Sequence, residues 1–165
     1  MLNITQAEKK DIPLIRKLAL IAFPETYKDI LSPEQIEYML DWMYSEKSLN
    51  EQFDNGHIYH IGQHDGKACA YTSVEKQAPD LWHLQKIYIL PEYQHKGIGK
   101  LMFEHAINFI KKTSQEAKRI ELNVNRYNSA KTFYEKMGMH VATSGDFNIG
   151  NGYFMNDYIM ELEIR

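Results

Sequence analysis

The apolar positions along the chain change period several times, and each change marks an expected element. Leu2–Thr5 reads as a short first strand. From Asp11 the spacing turns helical, with Leu14, Ile15, Leu18 and Ile21 on one stripe. Asp11 is a natural N-cap and Pro13 is tolerated in a first turn, so this helix should run to about Ala22. Ser32-Pro33-Glu34-Gln35 repeats the start signal: Ser32 caps, Pro33 takes the first helical position, and Gln35 is able to close a capping box. That helix should reach about Tyr44. A shorter one, Glu46–Phe53, should end at Asn55-Gly56.

Beyond Gly56 the pattern switches to strands. His57–Gln63 and Lys67–Lys76 flank His64-Asp65-Gly66, an Asp-Gly turn that signals a hairpin. Gln77-Ala78-Pro79-Asp80 makes the next turn, and Trp82–Leu90 is a fourth strand. Helical spacing resumes at Ile98, Leu101, Met102, Ala106 and Phe109 and should last to about Thr113. In Arg119–Asn125, Ile120, Leu122 and Val124 alternate with Glu121, Asn123 and Asn125, which marks a fifth strand. A short helix capped by Asn128 or Ser129 and stopped by Gly138 follows. Met139–Asp146 and Tyr153–Ile164 form a terminal hairpin around Gly150-Asn151-Gly152. The order predicts an α/β chain of mixed α+β type: a single mixed, mostly antiparallel sheet of about seven strands with four to five helices packed on it.

Composition narrows the class. At 165 residues without repeats, low-complexity tracts or linkers, residues 1–165 make one domain. The net charge of −3, from 19 basic and 22 acidic side chains with no basic block, gives no sign of nucleic-acid or membrane-surface partners. Cys69 is the only cysteine, so there is no disulfide framework or cysteine zinc site, and a reducing cytoplasm fits. No secretory pattern or spanning-length apolar run is present.

The chemistry-bearing stretch is Leu84–Lys100, LQKIYILPEYQHKGIGK. An apolar strand ends at Pro91, and Gln94, His95, Lys96, Gly97 and Gly99 lie between it and a helix start. Unpaired helix N–H groups behind a loop with little side-chain bulk make an anion cradle, and Lys96 and Lys100 strengthen its field. Two other phosphate motifs fail on spacing. A P-loop needs Gly where Gln94 stands and Ser or Thr where Leu101 stands; a dinucleotide fingerprint needs a third glycine at Met102.

Two motifs then carry a resemblance. Gln94-His95-Lys96-Gly97-Ile98-Gly99 is similar to the Gln/Arg-x-x-Gly-x-Gly/Ala signature of the GNAT acyl-CoA-dependent N-acetyltransferases. The run from Asn128 to Gly138 is similar to the family's Asn-x-x-Ala-x-x-Phe-Tyr hallmark followed by glycine. The resemblance covers essentially the whole chain and implies the GNAT fold. The terminal Gly152–Met160 run resembles, more weakly, the small-molecule and polyamine branch. Acetyl-CoA is then the implied cosubstrate, with no metal. Its pyrophosphate would lie on the amides from Gln94 to Lys100, Ile98 among them, and its pantetheine arm along Ile87, Tyr88 and Ile89. Asn123 and Asn128 would reach it at the mouth of an opening between the fourth and fifth strands, with Phe133 and Lys136 flanking.

Acetyl transfer to an amine sets two demands. An alkylammonium with pKa near 10.4 must lose a proton, and a departing thiolate benefits from a donor. The family resemblance assigns Tyr134 as that donor, although its stripe with Ala130, Phe133 and Met137 also suits a core residue. For the base, His83 stands where the family often has Glu, and Glu75 is the alternative; a neutral imidazole is chemically acceptable there. His95 replaces a glycine common in the family. His57, His60 and His64 do not make a metal set, because strand alternation separates the first two and the third falls in the turn. The expected reaction is acetyl transfer to a primary amine of a small molecule, polyamine or amino-acid-like, in a ternary complex. A protein N-terminus or lysine as acceptor, and a silent acyl-CoA-binding module, are the rival readings. The exposed edge of the C-terminal hairpin could support a homodimer.

Overall fold

The computed structural model describes residues 1–165. The first strand β1 is Leu2–Gln6, and a single 3-10 turn at Lys9–Asp11 leads into helix α1, Ile12–Tyr27. Asp11 does not cap α1; its Oδ2 accepts from the Glu8 N–H instead (2.9 Å). Nor does α1 stop at Ala22. Pro24 removes one intrahelical bond, yet the last turn survives because Phe23 and Tyr27 are both buried, with ring centroids 4.7 Å apart, and Lys28 N–H closes on Pro24 O (2.9 Å).

Helices α2, Pro33–Tyr44, and α3, Glu46–Asp54, follow as expected. The Ser32 and Ser45 hydroxyls each accept a first-turn amide, from Gln35 and Ser48 respectively (3.1 Å each). Gln35 does not complete a capping box; its side chain donates to Phe154 O (2.9 Å) in the C-terminal hairpin. Tyr38 makes a parallel tie, donating its hydroxyl to Ile149 O (2.7 Å). Together they clasp α2 to the end of the sheet.

Strands β2, Ile58–His64, and β3, Lys67–Ala78, form the expected hairpin, with Asp65 and Gly66 both left-handed at its turn (φ +51° and +81°). His64 ends β2 rather than lying in the turn. Then come β4, Leu81–Ile89; α4, Ile98–Thr113; β5, Arg119–Asn125; α5, Ala130–Lys136; β6, His140–Gly150; and β7, Tyr153–Glu163. The seven strands make one sheet in the order β1-β2-β3-β4-β5-β7-β6. Every neighbour pair is antiparallel except β4 with β5, whose parallel register holds for only three rungs: Leu81–Arg119, Trp82–Ile120 and His83–Glu121. Beyond that rung the two strands separate.

Both faces of the sheet are packed. On one, α1, α2 and α3 bury Ile15, Phe23, Met39 and Leu49 against Tyr59, Ile61 and Tyr71. On the other, α4 and α5 bury Phe103, Ala106, Ile110 and Tyr134 against Val74, Trp82, Leu84, Ile120 and Leu122. Cys69 belongs to a smaller cluster with Ala70, Ile98 and Met102. It therefore lies under the first turn of α4, and burial pushes its thiol pKa up. No helix is long and apolar enough to cross a membrane.

Candidate active site

The separation of β4 from β5 leaves the edge of Leu84–Ile89 without a sheet partner on that side, and a cleft of about 720 Å3 opens there. Five segments wall it: Glu25–Tyr27 at the end of α1, Leu84–Ile89 of β4, the turn and first residues of α4, Leu122–Val124 of β5, and Asn128–Lys136. Ile87, Tyr88, Ile89, Gln94, His95, Gly97, Gly99, Lys100, Asn123, Asn128, Phe133, Tyr134 and Lys136 all line this cleft.

Three expected site residues stand elsewhere. Ile98 is buried in the Cys69 cluster, so only its backbone faces the turn. Lys96 carries its ammonium 5.6 Å from the centre of the Tyr93 ring, outside the lining. His83 sits at the last paired rung, just below the closed end of the cleft.

The turn has the geometry of an anion seat. Gly97 is left-handed (φ +80°), and a Cβ placed on it would meet nothing within 4 Å, so open space lies in front of α4. The first bond after the turn runs from Leu101 N–H to Gly97 O (3.3 Å), which leaves the amides of Ile98, Gly99 and Lys100 ahead of it without helical partners. His95 is also left-handed (φ +62°), the conformation that a glycine there would adopt without strain. Across the mouth, Asn128 Oδ1 accepts from Ala130 N–H (2.9 Å) and so starts α5, while Ser129, at the capping position, makes no such bond.

Tyr134 is 7% exposed and packed against the rings of Phe103 and Phe133 (centroids 6.4 and 5.4 Å away). Burial pushes its phenol pKa well up, so it is protonated at neutral pH. Tyr27 enters the same cleft beside Tyr88, Asn128 and Asp157. The expected helix end at Ala22 leaves Tyr27 outside α1; the continuation past Pro24 brings it there. Asn123 donates to Asp157 Oδ2 (3.3 Å), and Asp157 is buried with Oδ1 unpaired, so its carboxyl pKa is raised.

The face of the sheet that carries His83 is rich in carboxylate–imidazole pairs. Glu75, His83, Glu121, Glu161 and His140 are successive partners across β3, β4, β5, β7 and β6. His83 Nδ1 lies 3.2 Å from Glu121 Oε1, and His57 Nε2 lies 3.2 Å from Glu75 Oε2. Glu75 Oε1 also accepts from Gln85 Nε2 (2.9 Å). Burial lowers the pKa of both His57 and His83, although the neighbouring carboxylates oppose it. Both rings are therefore neutral at pH 7 and leave the charges of Glu75 and Glu121 unbalanced. Glu161 differs, being paired with Arg119 (3.1 Å). His60 faces away from this row, against His105 and Phe109 of α4.

A buried lysine adjoins the row. Lys86 donates to Tyr59 Oη (2.5 Å) and Gln52 Oε1 (2.8 Å), with the Tyr44 ring 4.5 Å away. It has no carboxylate partner, and burial brings its pKa down to about 7.

Known proteins share this sequence family and fold. The acetyltransferase (GNAT) domain family matches residues 27–162. The chain is 29% identical to the spermidine N(1)-acetyltransferase of Thermoplasma acidophilum, over 97% of this chain and 96% of that protein. An uncharacterised N-acetyltransferase of Lactobacillus delbrueckii subsp. lactis is 27% identical, over 87% and 90% respectively. Among solved structures, the PaiA N-acetyltransferase of T. acidophilum in complex with coenzyme A superposes with a TM-score of 0.81 at 26% identity, covering 99% of both chains. A strand fork beside an anion-seating helix start, and a domain match over most of the sequence, lead to one conclusion: the chain belongs to the GNAT acetyltransferase family.

Proposed function

We propose that the protein transfers the acetyl group of acetyl-CoA to a primary amine of a small molecule, and that a polyamine is the acceptor class. The observation that carries the acceptor class is the pair of half-buried carboxylates, Glu75 and Glu121, whose imidazole partners are neutral at pH 7. A negative surface beside the fork favours an ammonium, and favours a molecule with two or more of them over one with a neutral tail. The spermidine-acetylating relative supports the same reading.

Acetyl-CoA supplies the acyl thioester when bound. The residues fit it: free amides of Ile98, Gly99 and Lys100 and the positive end of α4 suit a pyrophosphate. The unpartnered edge of Leu84–Ile89 suits the amides of a pantetheine arm, as an added strand would be held. Asn123, Asn128, Phe133 and Lys136 wall the mouth. Tyr134, protonated and lining the cleft, donates to the departing thiolate. The amine arrives protonated, and His83, neutral and on the acceptor side of the fork, takes its proton.

The test is a panel of amines assayed by thiol release, with monoamines matched in length to di- and polyamines. At least about tenfold higher kcat/KM for the polyamines is expected, equivalent to one modest ionic contact. Equal turnover of matched monoamines overturns the acceptor class. Peptides that outcompete every small amine would move the acceptor to a protein. Tight CoA binding without thiol release from any amine would make this a binding module.

A further inference from the structure

His83 and Glu121 occupy an unusual point in the sheet. They form the last rung before β4 and β5 part, so they are the nearest paired residues to the opening. Their side chains are 11% and 18% exposed, and Nδ1 faces Glu121 Oε1 at 3.2 Å. A carboxylate at that nitrogen stabilises the tautomer with hydrogen on Nδ1, since the acceptor-only oxygen needs a donor opposite it. Nε2 makes no hydrogen bond of its own within the protein.

We propose that Glu121 is the positioning residue of the transfer site: it holds His83 with its hydrogen on Nδ1, so that Nε2 presents a lone pair to the acceptor ammonium. This inference rests on the reading of His83 as proton acceptor. One N–H bond of the ammonium breaks as the Nε2–H bond forms, and the amine keeps the electron pair. The imidazolium then carries two hydrogens, and Glu121 stays ionised opposite it. That charge offsets the burial that disfavours the imidazolium.

The other charged groups around His83 are consistent with this role. Glu75 on β3 pairs with His83 on the opposite side, but both its oxygens are engaged, by Gln85 and His57. It adds negative potential without fixing the ring. On β4 itself, Lys86 is enclosed by Tyr59, Gln52 and Tyr44. On β5 and β7, Arg119 and Glu161 neutralise each other. Glu121 alone touches the imidazole.

The experiment compares Glu121→Gln and Glu121→Ala with His83→Gln, using pH profiles of kcat/KM and nitrogen NMR of the His83 ring in the free protein. In the wild type Nδ1 should carry the hydrogen and Nε2 should not. Glu121→Ala should give a mixture of tautomers. Glu121→Gln keeps a hydrogen-bond acceptor but loses the charge, so it should move the acidic limb of the profile to lower pH and reduce kcat/KM about 10- to 100-fold, as weakened support of an imidazole does. CoA affinity should stay unchanged in both. An unchanged tautomer in Glu121→Ala together with an unchanged limb in Glu121→Gln overturns the inference. Full activity in His83→Gln overturns the proton-acceptor reading itself, whatever the glutamate variants do. Should Glu121→Ala fail to fold, the Gln variant decides through its limb.

Discussion

The two ends of the cleft are built in opposite ways. The cofactor end is made of backbone: one turn, Gln94–Gly97, followed by the unpaired amides at the start of α4 and the free edge of β4. A single continuous stretch of chain supplies it. The proposed acceptor end depends on side chains from several segments: Tyr27 and Asn123 wall the cleft, while Glu75, His83, Glu121 and Asp157 stand beside it on β3, β4, β5 and β7. Backbone donors bind any phosphate and demand only a permissive conformation. Side chains from distant segments would, under the proposed function, select the acceptor and could change without disturbing the cradle. Binding of the cofactor and choice of the amine are then expected to be separable.

Removing the Tyr134 hydroxyl tests the boundary between the ends most strongly. Tyr134→Phe should lower kcat about 10²- to 10³-fold with CoA affinity unchanged by calorimetry, within the range of about 10²- to 10⁴-fold for a general acid. Parallel loss of CoA affinity would make the ring a wall of the cofactor end and nothing more.

Acid should act on the cofactor end through its supporting helix. His60, 3% exposed between β2 and the His105 and Phe109 rings of α4, has its pKa lowered to about 4 by burial. A folded pKa below the ordinary 6.5 means that the native state holds this proton more weakly than the unfolded chain does. The contribution is therefore complete above about pH 6.5 and disappears as pH falls towards 4, amounting to about 3 kcal/mol. Denaturant titrations at both pH values should show this loss, and His60→Leu should shrink it. An acid limb identical in the variant would place the sensitive group elsewhere.

Gly97→Val imposes a β-branched residue on a left-handed position where the added Cβ meets nothing within 4 Å. The cost is conformational, about 2 kcal/mol, and should appear as a fall in Tm of about 5 °C. CoA affinity should drop about tenfold, while relative preference among amines stays fixed. A changed amine preference would join the two ends again. The smallest effect is expected at the other left-handed position of the cradle. His95→Gly should raise stability by about 0.5–1 kcal/mol, the relief of strain less the added freedom of the unfolded chain.

The same contrast decides what could be read from residue order. The cradle, the β2–β3 hairpin and the bounds of α4 and β5 follow from glycine spacing, an Asp-Gly turn and apolar period, all of which act within a few residues. Tyr27 did not, because Pro24 is a local stop signal that the burial of Phe23 and Tyr27 overrides. Gln35 fits a capping box by local rule and instead reaches Phe154, more than a hundred residues away. Glu121 alternates outward on β5 like any solvent-facing residue, and its contact with His83 exists only because β4 and β5 are parallel neighbours for three rungs. The family resemblance points to His83, whereas its pairing with Glu121 requires the sheet. Lys86 looked like one polar position in an apolar strand, and only the folded chain brings Gln52, Tyr44 and Tyr59 around it.

The strand order also sets when the molecule can be completed during its synthesis. β7 is the last strand in sequence, yet it lies inside the sheet between β5 and β6. A nascent chain that has emerged through residue 150 thus holds β5 with one edge open towards the β4 fork and the other open towards an absent neighbour, and β6 with no partner at all. Ribosomal pausing before residues 153–163 would prolong a species in which β5 lacks its β7 neighbour and β6 has none, the kind most prone to pair with another copy.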